Sequence, residues 1–254
     1  MRAMSLWRLE WLRLLRTHRL LAVVLVYLFF GLTGPLTVRY LENLLGALGT
    51  GGAQVQFPTP TPADGIAQFT RNASQIGLLV VVLVAAAALA FDSRREMAVF
   101  LRSRITKVYK IVLTAYAMSA AAAVSGFALG MLAAWYETAV LLGSVAVADM
   151  LLGTLLGAVF LAFAVAVVAL SAAVARGTLA TAGTSLGILL TMAIVAGLGG
   201  QVTGRWMPTT LSGATADLML AGRPGDYLPA TVVTLVATVA CLAGAVALTR
   251  RREL

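Results

Sequence analysis

The chain is short of almost everything that chemistry in water requires. It holds one cysteine, Cys241, one histidine, His18, and two lysines, Lys107 and Lys110. A single cysteine forms no internal disulfide, and Cys241, inside an apolar run, reads as a small buried hydrophobe. One histidine and one cysteine supply neither the ligand set of a zinc site nor the base of a His-dependent nucleophile. With lysine confined to positions 107 and 110, no Gly-x-x-x-x-Gly-Lys-Ser/Thr loop exists, so the chain does not cradle nucleotide phosphates in that way. Gly183-Thr184-Ser185-Leu186-Gly187 spells the Gly-x-Ser-x-Gly of a nucleophile elbow. That elbow needs a strand, a turn and a helix, whereas this segment lies within an apolar run, so the match is fortuitous. Charge is scarce as well. Charged residues make up 11% of the chain and hydrophobic ones 60%, with a mean hydropathy of +0.93. A soluble globular domain does not have that composition.

What is present is a set of long apolar runs: Leu20–Val38, Gln75–Phe91, Ile111–Trp135, Met150–Ala175, Leu179–Leu198 and Leu228–Leu248. About 20 apolar residues at roughly 1.5 Å per residue cross the roughly 30 Å of hydrocarbon in a bilayer. The second run is short and predicts a helix that starts earlier, near Ile66. Fifteen of the nineteen Lys and Arg residues fall in four stretches: Arg2 to Arg19, Arg94 to Lys110, Arg176, and Arg250 to Arg252. If every run crosses once, all four lie on one face, and Arg39, Arg71, Arg205 and Arg223 lie on the other. Cationic loops stay cytoplasmic, so both termini are expected inside. The net charge of +9 is thereby assigned to topology and headgroups, not to nucleic acid.

Three segments outside the runs carry further information. Residues 1–19 predict an amphipathic helix in the headgroup plane, with Trp7, Trp11 and Leu14 on its apolar face and arginines opposite. The largest inner loop, 91–110, lacks Gly and Pro and sets Met97, Phe100 and Leu101 among cations, a pattern suited to docking on a partner. The outer loop, 199–228, contains Trp206-Met207-Pro208 and the apolar stretch Leu211 to Leu220, which predict a short helix or re-entrant segment. Gly31 to Pro35 predicts a kink or stop in the first span. Gly pairs at 126 and 130, 153 and 157, and 183 and 187 predict close helix packing within the bundle. Carboxylates sit near helix ends. Ion coupling usually places one at mid-membrane, despite a cost of about 3 kcal/mol.

Taken together, the segment Asp92-Ser93-Arg94-Arg95-Glu96 followed by Phe100-Leu101, and Trp206-Met207-Pro208 before the last span, resemble the membrane subunit of the type-2 family of ABC exporters. The similarity covers nearly the whole chain. Family members often have Gly-Thr after the glutamate, where this chain has Met97-Ala98, and a Pro after the short helix, near Arg104-Ile105 here. The resemblance implies an all-α polytopic protein with six transmembrane helices, an N-terminal interfacial helix over 1–19 and a permease domain over 20–254. It also implies short outer helices between spans five and six. Loop 91–110 would be a coupling helix, with Arg94, Arg95, Glu96, Phe100, Leu101 and Arg104 touching an ATP-binding subunit. That subunit would hold ATP and Mg, and this chain no cofactor or metal. A second permease copy, or a similar permease, and membrane lipid complete the expected partners. A path along spans one, two and five would offer Thr33, Thr37, Ser74, Gln75, Thr184 and Thr191 to a hydrophobic or amphipathic substrate. The expected location is the bacterial cytoplasmic membrane. The residues alone also allow a membrane anchor or scaffold for a cytoplasmic partner, or an ion-coupled secondary carrier. An intramembrane enzyme is disfavoured by the shortage of His, Cys and buried carboxylates.

Overall fold

Backbone polar groups in hydrocarbon find no water, so each apolar run must pair them within itself, which a continuous helix does. The computed structural model describes residues 6–47, 59–90, 108–175, 177–200, 204–220 and 222–251. No strand occurs among the described residues, and six helices are long and apolar enough to cross a membrane. Spans 1 to 6 are Arg19–Ala47, Pro62–Leu89, Val108–Leu141, Val147–Val174, Thr178–Leu198 and Leu228–Arg251. The chain is an all-α polytopic membrane protein.

The N-terminal helix, Leu6–Arg16, is separate from span 1. His18 takes a φ of +54°, in the left-handed region that non-glycine residues rarely enter, and the chain turns there. The helix packs on spans 1 and 3. Leu14 and Glu10 face the bundle, Glu10 accepting from Arg13 Nη1 at 3.4 Å. Trp7 and Trp11 point away, 54% and 46% exposed. Leu14 therefore contacts protein, while the two indoles form the outward edge of the apolar face.

Span 2 begins at Pro62, well before Ile66, because a full start signal lies there. Pro62 occupies the first turn, where its missing N–H costs nothing, and Asp64 Oδ2 accepts the Thr61 backbone N–H at 2.9 Å. The span carries one widened π-turn, Ala73–Gly77. Span 1 neither stops nor breaks at Gly31 to Pro35; it runs to Ala47 with Pro35 inside. Neighbouring helices hold that stretch. A Cβ on Gly34 would lie 3.2 Å from the Phe69 nitrogen, and one on Gly65 would lie 3.5 Å from Pro35 Cβ. Tight packing of this kind keeps Pro in membrane helices.

Spans 1 and 3 form the closest pair, running parallel. Gly126 abuts Val23, and Gly130 abuts the Tyr27 backbone, its absent Cβ falling 2.6 Å from the Tyr27 oxygen. Gly31 faces the Gly130 carbonyl in the same seam. Span 4 is the central staff: 67% of its apolar window is buried, against 11% for span 6. Gly157 receives the Phe127 ring edge, and Gly153 receives Thr215. Two of the three Gly pairs thus pack within the bundle as their spacing predicts. The third does not: a methyl on Gly183 or Gly187 would meet no atom within 4 Å.

Between spans 5 and 6 the chain folds into a cap made of a 3-10 turn, Pro208–Ser212, a short helix, Ala214–Met219, and a second 3-10 turn, Pro224–Tyr227. Leu211, Ala214 and Thr215 are buried. The cap reaches in beside span 4 at Gly153, roughly 9 Å from that span's start at 1.5 Å per residue. Its surface is tied by an Arg205 to Asp226 ion pair and by Tyr227 Oη donating to Asp217 Oδ2 at 3.4 Å.

Candidate functional site

The second half of span 2 packs against span 1 on one side and span 5 on the other. The three form a continuous wall on the outside of the single subunit. Leu21, Leu25, Phe29, Leu32 and Leu36 on span 1, Ile76, Leu79 and Leu83 on span 2, and Ile188 and Ile194 on span 5 are all exposed.

The polar positions expected along this wall behave in two ways. Thr33 Oγ1 donates to the Phe29 carbonyl at 2.8 Å and Thr37 Oγ1 to that of Thr33 at 2.7 Å. On span 5, Thr184 Oγ1 donates to Ala180 at 2.9 Å and Thr191 Oγ1 to Gly187 at 2.8 Å. These four hydroxyls are satisfied by their own helices, so they sit in hydrocarbon at little cost. Gln75 differs. It is exposed, lies in the π-turn, and its side-chain amide has no hydrogen-bond partner among the described residues. It is also at the middle of Pro62–Leu89, roughly 20 Å from either end at 1.5 Å per residue. An unpaired amide facing hydrocarbon costs about 4 kcal/mol or more. The arrangement is comfortable only if water, a second protein surface or a ligand meets Gln75.

Ser185, of the Gly-x-Ser-x-Gly segment, is buried within span 5 and donates to the Thr181 carbonyl at 2.6 Å. It has no strand-turn-helix context, as its sequence setting predicts. Among the described residues no three His, Cys, Asp or Glu side chains gather as metal ligands would. Arg94, Arg95, Glu96, Phe100, Leu101 and Arg104 lie outside the described residues. The chain enters and leaves their segment at Leu89 of span 2 and Val108 of span 3. Lys110 and, on span 6, Arg250 and Arg251 are at the same end as those two attachment points. Sequence reasoning had no signal for the π-turn, since Ala73-Ser74-Gln75-Ile76-Gly77 contains nothing that separates it from ordinary helix. A search of protein-family models, of curated proteins and of solved structures finds no match to the chain.

Proposed function

We propose that the chain is the permease subunit of a type-2 ABC exporter. It would reside in the bacterial cytoplasmic membrane with both termini inside, pair with a second copy or a similar permease, and be driven by a separate ATP-binding subunit holding ATP and Mg. The observation that most supports this reading is Gln75, an unpaired amide midway along an outward wall of spans 1, 2 and 5. A second permease facing that wall encloses a path in which Gln75 meets water or cargo. The remaining lining is apolar, and the threonine hydroxyls are already bonded, so the cargo is hydrophobic or amphipathic and uncharged along most of its length.

The route for force follows from the connections. Loop 91–110 joins span 2 to span 3, and span 3 is locked onto span 1 through Gly31, Gly126 and Gly130. A push on the loop by a closing ATPase dimer therefore moves spans 1, 2 and 3 together. That movement re-orients the wall against its counterpart and opens the path alternately to either side. Arg95, Glu96, Phe100 and Leu101 take the contact, with Arg94 and Arg104 adding ion pairs. Truncating a docked aromatic weakens such an interface by roughly 1–2 kcal/mol or more. In the reconstituted complex, Phe100→Ala and Glu96→Ala should lower permease-dependent ATPase stimulation; unchanged stimulation in both refutes the contact surface.

A further inference from the structure

Span 6 packs on spans 3 and 4 and is the least buried of the six. Gly244 and Ala245 turn inward: a Cβ on Gly244 would lie 3.2 Å from Leu170 Cδ1 of span 4, and Ala245 is fully buried. The same turns carry Val239, Ala243, Val246, Ala247 and Arg250 at spacings of three and four, which places them on one helix face. With Leu113 of span 3 they line a groove of about 470 Å³ between the two spans. Ala243 and Ala247 are both exposed, and their small side chains one turn apart leave the hollow open. The groove shares no helix with the wall of spans 1, 2 and 5.

Every lining residue but one is apolar, and the exception, Arg250, stands at the end of the span. An arginine there lays its aliphatic stem along apolar surface and carries its charge to the headgroup level. The Arg250 side chain has no ion pair or hydrogen bond among the described residues. Lys110 is exposed and equally unpaired, one turn before Leu113 on the same face of span 3 and at the same end of the bundle. From Val239 to Arg250 the groove runs roughly 16 Å at 1.5 Å per residue. Half of the roughly 30 Å hydrocarbon core is about 15 Å, so the groove has the depth of one leaflet. An occupant must therefore be hydrocarbon along one leaflet and anionic at its surface.

We propose that the groove between spans 3 and 6 seats one anionic phospholipid, with an acyl chain along Val239, Ala243 and Ala247 and its phosphate at Arg250 and Lys110. On the topology proposed above, the lipid belongs to the inner leaflet. Its chain covers apolar surface that the bundle leaves open, and its phosphate draws the ends of spans 3 and 6 together. Lipid headgroup charge thereby sets how firmly span 6 is held to the bundle. The site requires only the membrane fold, whatever the chain transports.

The test uses the full chain in mild detergent, stripped of native lipid. It is given phosphatidylglycerol, phosphatidylcholine with the same acyl chains, or glycerol phosphate as a headgroup without chains. Binding is read as a saturable rise in Tm and as lipid retained per chain in native mass spectra. Phosphatidylglycerol should be retained at one per chain and bind more tightly than phosphatidylcholine, and glycerol phosphate should give no shift. Arg250→Gln and Lys110→Gln should each weaken phosphatidylglycerol binding roughly five-fold. Arg39→Gln, at an exposed arginine toward the far end of span 1, should leave it unchanged. Ala247→Leu fills the groove with both cations in place and should weaken it several-fold. Equal binding of the two lipids overturns the proposal, as does undiminished binding in the Arg250→Gln, Lys110→Gln double variant or in Ala247→Leu. An equal loss in Arg39→Gln, or a glycerol phosphate shift matching that of the lipid, overturns it as well.

Discussion

Replacing Gly130 by Ala should separate spans 1 and 3, and the size of the effect can be worked from the seam itself. The new methyl would sit 2.6 Å from the Tyr27 oxygen and 2.8 Å from both the Tyr27 carbonyl carbon and Cβ. Contacts of carbon with backbone need more than 3 Å, so the helices must part by several tenths of an ångström or the methyl must strain. Two of the three obstructing atoms are main-chain, so no rotamer change removes the clash. Overpacking a tight interior costs about 1–3 kcal/mol, and each kcal/mol moves Tm by about 2–4 °C in a chain of this size class. Gly183→Ala is the matched control. It makes the same chemical change in a helix of similar composition, but no atom lies within 4 Å of the added methyl. Its expected effect on the isolated subunit is neutral or slightly stabilising, because Ala in a helix is favoured over Gly by roughly 0.5–1 kcal/mol. Thermal unfolding of monodisperse protein in detergent, read by tryptophan fluorescence, compares the two directly. Equal losses in both variants, or none in Gly130→Ala, would refute the packing of spans 1 and 3 described above.

Three further outcomes are expected. Gly77→Ala places a methyl 2.7 Å from the Tyr27 ring and should lower Tm by an amount similar to Gly130→Ala, whereas Gly187→Ala, with open space around it, should not. Asp226→Asn breaks the exposed pair with Arg205 and should cost at most about 1 kcal/mol, read as a small Tm shift that disappears in high salt. Ser185→Ala should leave any measured transport or ATPase stimulation unchanged and cost about 1 kcal/mol or less, since its hydroxyl serves only the Thr181 carbonyl; a large loss of function would contradict its structural assignment.

The spans were legible because hydropathy over 20 residues is a strong and additive signal. Helix limits were less so. Pro35 argued for a stop, yet tertiary contacts from Phe69 and Gly65 sustain the helix through it, and no local sequence rule contains those contacts. The Gly pairs show the same limit from another side. Spacing is identical in all three, but only the faces of spans 3 and 4 turn inward, and that depends on which helix is central. The cap was visible as an apolar segment in a long loop, while its depth beside Gly153 was not, because nothing in Thr215 announces a partner 60 residues away. On the wall, sequence named Thr33, Thr37, Ser74, Gln75, Thr184 and Thr191 together. Geometry separates Ser74 and Gln75 from the four threonines, whose hydroxyls reach back to carbonyls of their own helices. His18 falls within the helix predicted over 1–19, but it takes a left-handed turn, a conformation uncommon for any residue other than glycine.

The exporter reading stands or falls on its partner. The direct measurement is affinity purification of the tagged chain from its native host in mild detergent, with nucleotide present and the copurifying proteins identified by mass. Recovery of an ATP-binding subunit at one per permease is the predicted result. Recovery of the chain alone under those conditions would contradict it and leave a membrane scaffold or a secondary carrier in its place.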